Sequence, residues 1–371
     1  MGEFGYDLPA VTGMAEAQVQ TPCLIVDLTA LETNLNLLAD FARQAGMALR
    51  PHGKMHKCAN VAQMQIARGA VGICCQKVTE AEAFVRAGIL DVLVTNEVRD
   101  PVKIARLAGL ARVARVAVCV DDPTNVAALS AAAQAAAVEI GVLVELDCGQ
   151  GRCGVVTAAA LVEIATAVQA APGLRYEGVQ AYHGAMQHVG DPAQREQVGL
   201  AAQAVLRDGL KALARAGLVA GKVSGGGTGS FRQDAASGLW TELQCGSYAF
   251  MDADYGRISG PQGRLDGQFM PALFVLTSII SRRRGKAVGD AGLKSLTGES
   301  GLPTCGGFQV LGLSDEHVEI ADPEAALQIN QRLRLVPGHC DPTVNLHDVI
   351  VAVRAGVVQA IWPVTARGRS L

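Results

Sequence analysis

Charge is scarce in this chain. Of its 371 residues only 18% are Asp, Glu, Lys or Arg, and the formal net charge is -3. The electrostatic footprint of a nucleic-acid binder is therefore missing. Long apolar runs are missing as well. Half of the residues are hydrophobic, yet no stretch of about 18 uncharged apolar residues reads as a membrane span. Residues 1–20 carry acids and glycine where a secretory signal has a basic region followed by an apolar one. No Cys-x-x-Cys pair occurs among the ten cysteines, which argues against a zinc knuckle. They sit in apolar strand-like runs (Cys23, Cys74, Cys75, Cys119) or near glycine (Cys148, Cys153, Cys245). The expectation is a cytoplasmic protein with reduced, buried thiols and small-molecule partners, without nucleic acid or membrane.

What the chain does have is a strand–helix period. Apolar segments begin near residues 23, 47, 71, 91, 115, 139, 176 and 222, separated by Ala- and Leu-rich stretches such as 30–45, 59–68, 80–87, 125–136, 158–170 and 193–216. In the first of these, Leu31, Leu35 and Leu38 share a helical face. Eight continuously apolar strands alternating with helices describe a parallel sheet covered on both faces. Closure into a (β/α)8, TIM-like barrel of the α/β class is the economical solution. An open doubly wound sheet is disfavoured because polar, glycine-rich strand exits are spread along the chain (52–57, 76–77, 96–97, 121–122, 147–154, 182–183, 225–230) rather than gathered at one switch point.

Beyond Gly256 the pattern changes. Short segments at 272–278, 287–290, 333–336, 348–354 and 357–363 are separated by glycine and proline without long helices between them. They predict a second, mostly antiparallel β domain. With a Gly/Pro/Gln-rich link over 257–271, the expected division is 21–260 for the barrel and 1–20 with 261–371 for the β domain.

Candidate chemistry begins at Arg50–Lys57, two lysines and two histidines placed directly after an apolar run. A lysine at a strand end, partly desolvated among other cations, has a lowered pKa and can form a Schiff base as the neutral amine. That residue is Lys54. His52 and His56 have the spacing of a zinc pair, but Gly53 stands where a metalloprotease needs glutamate. The run Gly225–Ser230 builds a turn whose backbone N–H groups can meet an anion, with Thr228 as a hydroxyl donor. It lacks the Gly-Lys-Ser/Thr ending of a P-loop, and a similar small-residue turn follows at 244–248. Residues 149–154 spell Gly-x-Gly-x-x-Gly after a strand, but Tyr182 and His183 occupy the place where a dinucleotide site needs an acid. Arg152 reads instead as a cation directed at an anionic ligand oxygen. His339 and Asp341, two apart on an expected extended segment, share a face and suit one divalent ion with open positions left for substrate.

Taken in order, Thr21–Leu24, the Lys54 stretch, Gly72–Lys77, Gly149–Gly154, Gln180–Gly184, the glycine loop, Gly246–Asp254 and His339–Asp348 resemble the D-threonine aldolase and D-serine dehydratase family along nearly the whole chain. The resemblance implies the alanine racemase fold with pyridoxal 5'-phosphate (PLP). It implies that Lys54 carries the cofactor as a Schiff base. Gln76, Tyr182, Thr228, Gly246, Ser247 and Tyr255 would bind it, Arg152 would lie near its phenolic oxygen, and His183 would cover its ring. His339 and Asp341 would hold the metal, expected to be Mg2+ or Mn2+. The implied enzyme is a carbon–carbon lyase acting on a D-configured β-hydroxy-α-amino acid, with His183, His188 or a metal-bound water as base and a homodimer or a monomer as its assembly. From 3-hydroxyaspartate the products would be glycine and glyoxylate. The rivals are a dehydratase on the same cofactor, a non-enzymatic PLP carrier, and a nicotinamide oxidoreductase using the 149–154 turn.

Overall fold

The computed structural model describes residues 2–260, 263–264 and 268–371. Part of the expected link over 257–271 thus lies outside the described residues. The Cα packing divides the chain into two compact units. One comprises Met1–Leu37, Met55–Asn60 and Ser247–Gly368, the other Leu38–Lys54, Val61–Gly246 and Arg369–Leu371.

The first apolar strand is placed differently from expectation. β1 (Cys23–Asp27) pairs antiparallel with Leu273–Arg283 and parallel with Val349–Arg354, all within the first unit. Its Leu24, Ile25 and Val26 are fully buried, and such an apolar run fits any sheet covered on both faces. Period alone cannot choose its neighbour.

The second unit still has eight parallel strands: β2 (Ala48–Leu49), β3 (Ile73–Cys75), β4 (Asp91–Glu97), β5 (Arg115–Val120), β6 (Ile140–Glu145), β7 (Leu174–Ala181), β8 (Lys222–Gly225) and β9 (Glu242–Leu243). The eighth member is β9, two residues long and too short to leave a pattern in the sequence. The order β2-β9-β8-β7-β6-β5-β4-β3 is completed by a parallel bridge between His52 and Cys74, so the sheet curls back to its own first strand. Cys74, Leu93, Ala117, Cys119 and Leu143 form one inner cluster.

Helices start where the sequence gives them caps. Asp100, Asp122 and Asp191 each accept hydrogen bonds from first-turn N–H groups, and each is followed by proline at the first helical position. The helix Pro101–Leu110 was not among the expected segments, whereas Ala158–Ala170 matches its expected range.

A charged and polar chain also runs through the sheet. Arg50 Nε donates to Glu242 Oε2 at 3.1 Å and Arg50 NH1 to Asp91 Oδ1 at 2.7 Å. Ser224 Oγ donates to Glu242 Oε1 at 2.6 Å, and Gln244 Nε2 donates to Ser224 Oγ at 2.8 Å and to Gln180 Oε1 at 2.7 Å. Each buried charge has partners, as the low dielectric requires.

The first unit is built around a mostly antiparallel sheet. Leu273–Arg283 pairs with β1, Gly285–Gly289 and Arg332–Leu335, while β1 also joins Val349–Arg354, which pairs with Val357–Pro363. Val310–Leu313 and Val318–Asp322 extend this sheet beyond the segments expected. Ala10 and Val19 of the N-terminal arm pack with Ile25, Leu276 and Val351 in its core. Among the described residues no helix is long and apolar enough to cross a membrane.

Candidate active site

The strand ends of the parallel sheet carry most of the expected site residues. Lys54 lies in the turn just after the His52 bridge, and its backbone N–H donates to His52 Nδ1 at 3.3 Å. The expected desolvation is not met: Lys54 is exposed. The neighbouring Lys57 is buried in the first unit, with Nζ donating to the Ala366 carbonyl at 3.4 Å. Of the two lysines, Lys54 is thus the accessible one. His52 Nε2 reaches Gln76 Oε1 at 3.2 Å and Thr95 Oγ1 at 3.1 Å, which steadies the amide of Gln76 beyond β3.

The loop after β6 explains why its glycine motif is no dinucleotide cradle. Asp147 Oδ1 accepts from the N–H groups of Gly149, Gln150 and Gly151 at 2.9, 2.9 and 3.1 Å, so donors that would face a pyrophosphate are turned inward. Gly149 has φ +126°, and a Cβ there would stand 3.1 Å from His183 Nε2, so glycine lets the histidine lie against the turn. Burial lowers the His183 pKa, with the Asp147 charge opposing. Tyr182 and His183 are half-buried, and His188 is exposed in the short turn that follows.

Arg152 is about half exposed, its NH2 3.9 Å from Glu145 Oε1. Burial, and then the adjacent Glu97 charge, hold the Glu145 carboxyl far above the usual range, with Arg152 pulling it back. The sequence reading missed this acid pair, although Glu145 is the one charge in the run 140–146.

Beyond β8, the glycine loop is shaped by a buried relay. Gln187 Nε2 donates to Ser230 Oγ at 2.9 Å, and Ser230 Oγ donates to Asp234 Oδ2 at 2.6 Å. Ser230 Oγ also accepts from Gly227 N at 3.1 Å, and Gln187 Oε1 accepts from Gly229 N at 2.8 Å. A Cβ on Gly227 would meet Gln187 Oε1 at 2.3 Å. Thr228 is buried within this loop.

Burial pushes the Asp234 carboxyl up to about 7, against the bond from Ser230. Its folded pKa therefore lies above the unfolded value of about 3.9. The stabilisation is complete below that value and is lost as pH rises through the folded pKa. The Asp234→Asn variant removes this dependence, so the wild type should lose stability relative to it from about pH 4 to pH 7. Thermal unfolding across that range checks the sign; a pH-independent difference would show that the carboxyl is not held neutral.

His339 and Asp341 lie in the first unit, together with buried Ser247 and Tyr255, whereas Gly246 ends the second unit's last long segment. The segment is not extended as expected. His339, with β backbone angles, is the N-cap of the helix Cys340–Val344, whose first turn contains Asp341 and whose Thr343 Oγ1 donates to the His339 carbonyl at 2.8 Å. The two side chains still meet, His339 Nε2 being 3.3 Å from Asp341 Oδ1. Burial lowers the His339 pKa, but Asp341, then Asp252 and Glu299, outweigh it and raise it to about 9. Cys340 is fully buried; its Sγ donates to the Met251 carbonyl at 3.2 Å and its N–H to Asp252 Oδ2 at 3.0 Å.

These donors fit the groups expected of them. A divalent ion with bonds of about 2.1 Å has adjacent ligands roughly 3 Å apart, near the His339–Asp341 spacing. His339 and Asp341 are two such donors, and among the described residues no set of three or more His, Cys, Asp or Glu side chains is arranged to hold a metal. An accessible amine, an amide, a guanidinium and a hydroxyl beside a glycine turn suit a phosphorylated aldehyde.

Comparison with known proteins adds an independent line. Residues 26–254 match the family described as alanine racemase, N-terminal domain, and residues 272–353 match a serine dehydratase-type domain. The chain is 54% identical to a 3-hydroxy-D-aspartate aldolase of Paracoccus denitrificans (strain Pd 1222), over 99% of this chain and 97% of that one. It is 45% identical to a D-threonine aldolase of Arthrobacter sp, over 98% and 96%. The crystal structure of D-threonine aldolase from Filomicrobium marinum superposes with a TM-score of 0.95 at 46% identity, covering 98% of this chain and all of the other.

Proposed function

This chain belongs to the alanine racemase N-terminal domain family, and from that premise we propose that it is a PLP- and divalent-metal-dependent aldolase. Its substrate class is a D-β-hydroxy-α-amino acid, and 3-hydroxy-D-aspartate, cleaved to glycine and glyoxylate, is the substrate we propose first. The observation that carries the choice of reaction is the carboxylate oxygen of Asp341 beside the His339 imidazole, with the Cys340 thiol buried against a carbonyl. One nitrogen and one hard oxygen suit Mg2+ or Mn2+ better than a thiolate metal.

Lys54 would hold the cofactor's aldehyde carbon. Gln76, Tyr182, Thr228, Gly246, Ser247 and Tyr255 would hold its polar atoms, with Arg152 beside its phenolic oxygen. When bound, PLP supplies an electron sink at Cα. His339 and Asp341 would hold the metal, which supplies Lewis acidity for the β-hydroxyl. The imidazole of His183, its pKa lowered by burial, is neutral near pH 7 and can accept the hydroxyl proton. His188, exposed one turn further on, is the second candidate base. As that proton leaves, the Cα–Cβ bond breaks, its electron pair stays at Cα, and Cβ departs as the aldehyde carbon. A proton returned to Cα completes glycine. Nine of the ten cysteines are buried as thiols, which supports a reducing cytoplasmic setting.

The purified enzyme given 3-hydroxy-D-aspartate should release glycine and glyoxylate in equal amounts, and do so faster than it cleaves D-threonine. Oxaloacetate and ammonia as main products would instead make it a dehydratase.

A further inference from the structure

His339 uses both edges of its ring. While Nε2 faces Asp341, Nδ1 lies 3.0 Å from Glu299 Oε1 and 3.3 Å from Ser300 Oγ. Ser300 Oγ donates in turn to Glu299 Oε2 at 2.8 Å. A carboxylate and a hydroxyl thus bracket the ring edge opposite Asp341. The bracket is itself anchored: Arg257 NH2 donates to the Ser300 carbonyl at 2.7 Å and pairs with Asp254 Oδ1 at 3.1 Å. Asp254 belongs to the short helix Ala253–Gly256, whose N-cap Asp252 accepts from Cys340 N–H. The segments approach so closely that a Cβ on Gly338 would stand 2.3 Å from the Gly301 carbonyl oxygen.

A ligating imidazole needs its lone pair on one nitrogen and its proton on the other, and an outer carboxylate fixes both that choice and the plane of the ring. We propose that Glu299 is the positioning residue of the metal pair, holding the Nδ1 proton so that Nε2 presents its lone pair beside Asp341. This rests on the reading of His339 and Asp341 as metal ligands. Glu299 touches no reacting atom in this role and acts through His339. Its side chain is about half exposed, so its replacement should leave the core intact.

The test is Mn2+ titration of the PLP-loaded protein, with free Mn2+ followed by electron paramagnetic resonance, for wild type, Glu299→Gln, Glu299→Asp and His339→Ala. Glu299→Gln should weaken Mn2+ binding by about 10- to 100-fold, and Glu299→Asp should recover part of the loss. The cofactor's visible absorption and the unfolding midpoint should stay unchanged. Wild-type Mn2+ affinity in Glu299→Gln, alongside loss of binding in His339→Ala, overturns the role of Glu299 and leaves the metal reading standing. A loss of affinity that comes with a lowered unfolding midpoint also overturns it, since the residue would then be merely structural. Absence of His339-dependent Mn2+ binding in the wild type overturns the metal reading itself, and the proposal with it.

Discussion

Asp341→Ala should abolish metal-supported cleavage, whereas Cys340→Ala should keep it. A metal acting as Lewis acid on the departing hydroxyl contributes several kcal/mol, and each 1.36 kcal/mol is tenfold in rate, so the loss is on the order of 10^2- to 10^4-fold. EDTA should reproduce it in the wild type, with Mg2+ or Mn2+ restoring activity. Cys340 is the poorer candidate on geometric grounds, being fully buried with its Sγ donating to the Met251 carbonyl at 3.2 Å. Cys340→Ala should therefore alter packing and stability but not metal affinity. Activity and Mn2+ binding measured on both variants decide the matter. Metal lost in Cys340→Ala and kept in Asp341→Ala would reverse the ligand assignment and remove the main support for an aldolase.

Lys54→Ala has the other large effect. On the proposed reading it would remove both the covalent anchor and a group able to carry protons at the cofactor, the latter alone worth about 10^2- to 10^4-fold. Turnover should fall by at least that much, with the visible cofactor band lost or shifted. Lys57→Ala should instead act on folding, because that amine is buried against the Ala366 carbonyl. A Lys57→Ala variant that folds normally yet loses the band would contradict this division of roles.

Much of the architecture could be read directly, because a buried parallel strand writes itself as an uninterrupted apolar run between helices with Asp-Pro caps. Val142, Leu143 and Val144 are fully buried where the pattern places a strand. The failures have physical causes. β1 is as apolar as any strand of the parallel sheet but pairs with Leu273–Arg283, a partner about 250 residues away that no local periodicity can announce. β9 is only two residues long.

The candidate site was legible where chemistry sits on a motif: Lys54 at a strand exit, the 225–230 loop, and His339 with Asp341. Its support was not, because supporting residues are single polar side chains brought in from elsewhere. Gln187 reaches Ser230 across 43 positions and Glu299 reaches His339 across 40, the spacing of their residue numbers. Asp341 reached its partner by a route the sequence reading did not foresee, through the first turn of a short helix rather than along an extended strand.

The central claim, that this fold binds PLP through Lys54, is tested most directly by borohydride reduction of the purified holoenzyme and mass mapping of its peptides. The account predicts a single pyridoxyl phosphate adduct on Lys54, with loss of the visible band and of activity in proportion. An adduct on Lys57 or another lysine, or none in a protein that remains active, would contradict it.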